Sequence, residues 1–432
     1  MVKSLFHKVF QSNFAKNVLI MGGGTAGAQI LGAVFSPIIT RIYTPEEYGV
    51  LSLFVTILGF IAITASFKYE DAIPIAGNDE QAINVLGLSF LILLVYVAFS
   101  GVLFSLFGNS ILSFLDAQAL INYKFLIPIG VFFVGNYNIL MRWGFRKKNF
   151  KAISQTKLTQ SITGNVLKIV LGLFGIKPDG LLIGQIVSQG AGATTLLRPL
   201  VQKDKFLLKK INRIKVIESA KRYKNFPIFY VPDQLLNFAG LQLPVFFISF
   251  LYGTEILGLY SLANSIINLP MSLIGQSVGD VFFSEAANIG SSNPKRVKDL
   301  SLNLFKKLFV IGLVPLLVLL FFGPFLFSFV FGPEWYLSGV YARILSVLIF
   351  SRLIFTPISR VYTIYERLKE QLLVDLLRVV LIIMVFSLAH FFSLNSFLYI
   401  TLNSFAVIIQ YFIGFLVAQR ILNQEIKKKE NV

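Results

Sequence analysis

The sequence has 432 residues, of which 55% are hydrophobic and only 14% charged, and it carries a formal net charge of +18 with no cysteine. Ordinary soluble domains hold about 25% charged residues, so these proportions, with a mean hydropathy of +0.74, exclude a water-soluble globule and require lipid as solvent. Disulfide and thiolate-metal chemistry are excluded as well, and His7 and His390 alone make no histidine metal cluster.

At the start of the chain, Val2, Leu5, Phe6, Val9 and Phe10 recur at helical spacing opposite Lys3, His7 and Lys8. That pattern predicts an interfacial amphipathic segment over 1–16. The apolar run Val18 to Tyr43 is too long for the core of a cleavable signal and predicts the first membrane helix. Stretches of the ~20 residues needed to cross hydrocarbon then recur, predicting helices at 17–41, 48–67, 82–107, 120–141, 154–176, 180–199, 226–250, 256–284, 305–330, 338–358, 371–392 and 396–419. Thirty-three of the thirty-nine Lys and Arg residues fall in the N-terminal tail and in 66–80, 142–158, 198–224, 285–307, 358–378 and 420–432. The alternate loops near 108–119, 251–255, 331–337 and 393–395 have none. An even number of spans puts every basic segment on one side, and the excess of cations on cytoplasmic loops predicts that both termini are cytoplasmic in the cell (inner) membrane. The basic residues form no stripe on a soluble fold, so no nucleic-acid partner is expected.

The basic linker 200–225 divides the pattern into an N-lobe, 17–199, and a C-lobe, 226–419, with a basic tail over 420–432. Glu46 to Leu53 aligns with Glu255 to Leu262, each after a helix with a late proline, Pro37 or Pro244. Two parallel repeats of six helices follow, an all-α integral membrane protein of about 12 transmembrane helices in two pseudo-symmetric lobes around a central cavity. Gly22 to Gly27 matches G-x-G-x-x-G, but it follows no strand and lies inside a span, which removes the dinucleotide reading. Gly23 and Gly27 instead have the small-xxx-small spacing that lets helices approach. No P-loop occurs, so nucleotide hydrolysis by that motif is excluded.

Charges inside spans are costly and mark function. Lys168 falls in the middle of the fifth helix, Lys124 and Arg343 in the outward halves of the fourth and tenth, and Arg352 further along the tenth. With the amides Gln29, Asn237 and Gln242, these cations are expected to line a cavity for an anionic, hydroxyl-rich substrate. Snorkelling to the interface is the bland reading of Lys124 and Arg343. Glu70, Asp233 and Asp280 are the acidic residues expected to couple transport to a proton or sodium gradient; no cofactor or metal is expected. No nucleophile elbow, paired outward carboxylates or His with a nearby acid occurs, and the outward loops are short, so no enzyme is expected.

Gly24-Thr25, Ala28-Gln29, Pro37, Thr40-Arg41, Tyr43-Thr44-Pro45-Glu46, Tyr48-Gly49 and Lys68-Tyr69-Glu70, in this order, resemble the opening of the polysaccharide (O-antigen repeat-unit) flippases of the multidrug/oligosaccharidyl-lipid/polysaccharide (MOP) superfamily. Trp143, Arg146, Phe226-Pro227, Asn237, Gln242-Leu243-Pro244, Gly258, Tyr260-Ser261-Leu262-Ala263 and Leu269-Pro270 continue the likeness. Lysine stands at 68 where that family commonly has arginine, keeping the charge without the bidentate fork. The resemblance implies a V-shaped transporter of MATE/MOP type that flips undecaprenyl-pyrophosphate-linked oligosaccharides by alternating access. Its implied partners are the lipid-linked oligosaccharide, membrane lipids, and the polysaccharide polymerase and chain-length machinery. A cation-coupled multidrug exporter of the same superfamily, a membrane-embedded polymerase or acyltransferase, and a scaffolding protein are the competing readings.

Overall fold

The computed structural model describes residues 13–289 and 293–430. Every regular element among them is helical. Hydrocarbon offers no partner to an exposed N–H or C=O, and a helix satisfies both within itself. The contact pattern divides the chain at Gln242/Leu243 into two compact units. The amphipathic segment expected over 1–16 lies outside the described residues as far as residue 12, and Asn13 already belongs to the first helix.

The first unit contains α1 (Asn13–Ile42), α2 (Pro45–Thr64), α3 (Asp79–Phe114), α4 (Leu126–Arg146), α5 (Phe150–Leu173), α6 (Asp179–Gly190), α7 (Ala193–Gln202) and α8 (Arg213–Arg222). α2 starts where Thr44 accepts from the N–H of Glu47 and the Glu47 carboxylate accepts from the Thr44 N–H. This reciprocal cap, with Pro45 in the first turn, fixes a sharp corner after α1. The span expected at 180–199 is broken between α6 and α7, where Gly192 takes φ +80, a conformation that favours glycine. α5 packs most extensively on α1 and α6, and α8 packs on α3.

A single helical run, α9 (Val231–Ile289), leads into the second unit and changes direction at Gly253 (φ 81). This bend separates the two spans expected at 226–250 and 256–284. α10 (Pro294–Phe331), α11 (Tyr336–Phe355), α12 (Leu368–Phe391) and α13 (Ser396–Glu430) follow. Asn293 caps α10 by accepting from the N–H of Arg296, so the helix begins well before the apolar stretch at 305. At the polar end of this unit, Phe282, Ala286, Val297, Ile358, Tyr362, Ile421 and their neighbours form a buried apolar cluster that ties α9, α10, Arg360–Ile364 and α13 together.

Eight stretches of the described residues are long and apolar enough to cross a membrane. α9 supplies one of these but two of the expected spans. α4 and α5 fall short in mean apolarity, and α6 and α7 in length, at 12 and 10 residues on either side of the Gly192 break. Together these give about twelve. In the windows of α2 and of Pro333–Ile364, 50% of residues are buried, against 17% for α3 and α12. The peripheral helices present residues such as Leu106, Phe114, Phe329 and Leu372, at 64–89% exposure, outward; a surface of that kind belongs in lipid.

Candidate functional site

Lys168 lies in a polar seam along α5. Its ammonium donates to Gln185 Oε1 on α6 at 2.8 Å, and its carbonyl accepts from the Tyr43 hydroxyl at 2.7 Å. Gly164, one turn before Lys168 on α5, and Gly184, next to Gln185 on α6, bring the two backbones together: a Cβ on Gly184 would lie 2.5 Å from Lys168 Cγ and 3.1 Å from the Gly164 carbonyl. The seam continues with Ser188 donating to the Gln160 carbonyl, Gln160 to the Gln189 carbonyl, and Ser161 to the Ala28 carbonyl on α1. No carboxylate of the described residues pairs with Lys168, whose charge is held by a neutral amide. Lys157, over the Tyr137 ring at 5.1 Å, is a second cation three turns earlier on α5 that the sequence reading passed over.

Gly24, rather than Gly23, makes the close approach of α1 to α5. A Cβ there would overlap Ser154, whereas Gly23 meets nothing within 4 Å. Gly27 is in the contact, 3.2 Å from Leu158. Gln29 is half-buried, and its Oε1 has no hydrogen-bond partner among the described residues.

Glu70 falls in a turn between α2 and α3, Tyr69–Ala72, and is 4% exposed. Its carboxylate accepts from Ser66. Burial raises its pKa above the ordinary carboxylate value, and the serine bond and Lys68 only partly oppose this. Phe67 and Lys68 just before it take left-handed backbone, at φ 49 and 61. The surrounding loop is stapled to the end of α4. Arg142 pairs with Asp71 at 2.5 Å, and Arg146 with Asp79 at 2.9 Å. Lys147 bridges Asp79 and Asp204 at 2.7 and 3.2 Å. Several cations that read as a simple topological signal are therefore structural.

In the second unit Arg352 lines a cavity of about 310 Å³ with Arg360, Asn268, Thr356, Ser359 and the glycine face Gly275/Gly279. The Arg352 guanidinium donates to Asn268 Oδ1 at 3.4 Å, and Asn268 in turn bonds Asn264 at 2.7 Å. Arg360 spreads over the Phe283 ring at 5.9 Å. The cavity's described lining has two guanidinium groups, hydroxyls, an amide and no carboxylate. Planar, delocalised cations beside hydroxyls suit a phosphate or acidic sugar. Arg360 is the member not expected from the sequence. It lies eight residues after Arg352, but the Thr356–Ser359 turn interrupts the helix between them.

The other expected residues are placed as follows. Lys124 is not inside the fourth helix, which starts at Leu126. It follows a 3-10 turn and donates to Asn109 at the end of α3 at 2.9 Å, over the Phe125 ring. Arg343 is exposed and donates to the Phe321 carbonyl of α10 at 3.2 Å. Asp233 and Asn237 are exposed one turn apart on α9, and Gln242 is half-buried. The side chain of Asp280 lies outside the described residues.

The long apolar helices, with polar groups buried along α5 in the first unit and a cationic cavity in the second, define a multi-pass membrane protein. The chain belongs to the polysaccharide biosynthesis protein family, whose model matches residues 38–341. It is 24% identical over 344 residues to the succinoglycan biosynthesis transport protein ExoT of Rhizobium meliloti (strain 1021), a match covering 78% of this chain and 65% of that relative's length. Among solved structures it is similar to an inward-facing MATE family multidrug resistance transporter of the MOP superfamily (TM-score 0.73, 16% identity, covering 92% of this chain and 96% of that one). It is also similar to lipid II flippase MurJ in an inward closed conformation (TM-score 0.68, 14% identity, covering 94% and 90%). These structural likenesses establish the fold.

Proposed function

We propose that this protein is a flippase rather than an enzyme. In this reading it carries an undecaprenyl-pyrophosphate-linked oligosaccharide from the cytoplasmic to the outer leaflet of the cell membrane, by alternating access, for surface polysaccharide synthesis. The observation that carries the reading is the cavity lined by Arg352, whose guanidinium is held by the neutral Asn268 amide. It favours an anionic head group over the cationic drug that the multidrug-exporter reading requires. Family membership and the relative's printed role support the substrate class. Lys168 and Gln29 supply a second polar surface, on α5 and α1, for sugar or phosphate oxygens, while the lipid tail stays in the bilayer. Glu70 is the coupling carboxylate, taking up and releasing a proton from its buried turn, with Asp233 and Asp280 as alternatives. Both termini and the basic segment 203–224 face the cytoplasm.

The test is reconstitution of the whole protein in proteoliposomes, following the appearance of an undecaprenyl-pyrophosphate oligosaccharide on the opposite leaflet. Protein-dependent movement of an unmodified glycan, stimulated by a proton gradient and reduced in Glu70→Gln, is expected. A lengthened or acylated glycan would identify an enzyme instead, and gradient-driven export of a cationic dye alone would identify a drug exporter.

A further inference from the structure

Apart from Asp204, which pairs with Lys147, the basic segment from Lys203 to Lys224 lies outside the sites above, yet it is folded against α3. Asn84, fully buried on α3, accepts from the Asn212 N–H at 2.9 Å and donates to the Lys210 carbonyl at 3.3 Å. Glu80 in the first turn of α3 pairs with Lys215 and, at 3.5 Å, with Lys210. Tyr69 donates to the Ala220 carbonyl at 3.1 Å. These bonds press one face of α8, including Ser219 at 3% exposure, onto the protein.

At 100° per residue the opposite face collects Arg213, Ile214, Ile217, Glu218 and Lys221. Ile214 is 66% and Ile217 47% exposed, and Phe206 just before them is 60% exposed. Branched apolar side chains set outward between cations have the composition of a helix lying in a membrane interface. The depth agrees. Asn84 is five residues, about 7.5 Å along the axis, from the start of α3 and two residues inside the span expected at 82–107, so α8 packs on the end of that span. Charge complementarity selects the occupant. From Lys203 to Lys224 there are nine basic residues and only Asp204 and Glu218 as acids, and the first of these is already paired with Lys147.

We propose that α8 is an interfacial helix that seats Ile214 and Ile217 at the acyl boundary and binds anionic phospholipid head groups through Arg213 and Lys221. Through Tyr69 and Glu80 it would tie the buried Glu70 turn to the membrane surface, so lipid charge becomes an input to that turn. The inference rests on membrane embedding and not on the identity of the transported substrate.

Because the chain lacks cysteine, Ile217→Cys gives a unique site for an environment-sensitive fluorophore in the full-length protein. The protein is reconstituted in phosphatidylcholine vesicles with graded phosphatidylglycerol and quenched by nitroxide lipids. Lipid quenching that grows with phosphatidylglycerol and weakens with salt is expected. Arg213→Gln and Lys221→Gln should each raise the phosphatidylglycerol fraction needed for half-maximal quenching, with about a fivefold loss of anionic-lipid preference. Glu218→Gln, on the same face, should lower that fraction, an effect in the direction that misfolding does not produce. A water-exposed label at every composition would overturn the proposal. So would a shielded label that lipid does not quench, which would place a protein partner on this face.

Discussion

Lys168 holds its charge inside the first unit with one neutral amide and no acid among the described residues, an arrangement that costs free energy unless something else draws on the charge. Lys168→Met keeps the aliphatic stem against Gly184 and removes the ammonium. Thermal stability of the purified protein should be unchanged or slightly raised, by up to about 1 kcal/mol, while transport falls about tenfold or more. Lost stability with unchanged transport per folded molecule would make Lys168 structural. Glu70 answers to a different measurement. Its folded pKa lies above the unfolded value near 4.5, so between the two the folded state binds more protons and stability falls as pH rises. Above the folded pKa that loss is complete and constant. Glu70→Gln should therefore flatten the fall of melting temperature with rising pH and stabilise the protein at pH 7, by about 1.4 kcal/mol for each unit that burial has raised the pKa. An unchanged pH profile in the variant would show that another group is responsible. The sequence made Lys168 visible as a charge inside a span, whereas Glu70, between the spans, stood out only within the family-like Lys68-Tyr69-Glu70 run. It did not separate Lys168, which faces an amide inside the first unit, from Lys124, which reaches the Asn109 side chain near the end of α3, because hydropathy reports the run around a cation and not the partner that its flexible stem reaches.

At the scale of elements, glycine contacts set how near two helices lie. On α11 a Cβ at Gly339 would lie 2.6 Å from the Gly323 carbonyl on α10, with the backbone of Pro324 beside it and no movable side chain to yield. Gly339→Ala should cost at least about 1–3 kcal/mol, read as a lowered melting temperature in detergent. Gly23→Ala, in open space on α1, should be neutral or gain up to about 1 kcal/mol from helix propensity. Equal effects at the two sites would contradict the packing described. Most helices were legible because each needs an apolar run of membrane length, and Pro45 after Thr44 marks one start by its own chemistry. Polar extensions were not: α10 begins at Pro294 and α13 continues to Glu430, beyond the stretches that hydropathy detects. Nor was the helical state of α8, whose residues read only as a charged linker.

For the whole molecule, the distribution of Lys and Arg fixes the expected orientation, and the absence of cysteine makes it easy to test. An impermeant maleimide should reach Lys209→Cys only from the cytoplasmic side and Gln118→Cys only from outside; the reverse would invert the topology and the direction of transport with it. The division into two units falls inside α9 at Gln242/Leu243, and the residues of the expected linker 200–225 pack within the first unit. A charge pattern locates where a chain leaves the membrane. It does not reveal that such a segment has a buried face of its own, as Ser219 and Asn84 show.

The central claim is transport of an anionic lipid-linked glycan through cationic surfaces, and the Arg352 cavity is where it is most exposed to failure. Proteoliposomes containing the wild type or Arg352→Gln are to be compared for movement of an undecaprenyl-pyrophosphate oligosaccharide across the bilayer, with melting temperature measured on the same preparations. The account predicts wild-type movement without change in the glycan, and at least a tenfold loss in the variant at equal stability. Undiminished movement in Arg352→Gln, or none in the wild type under any ion gradient, would contradict it.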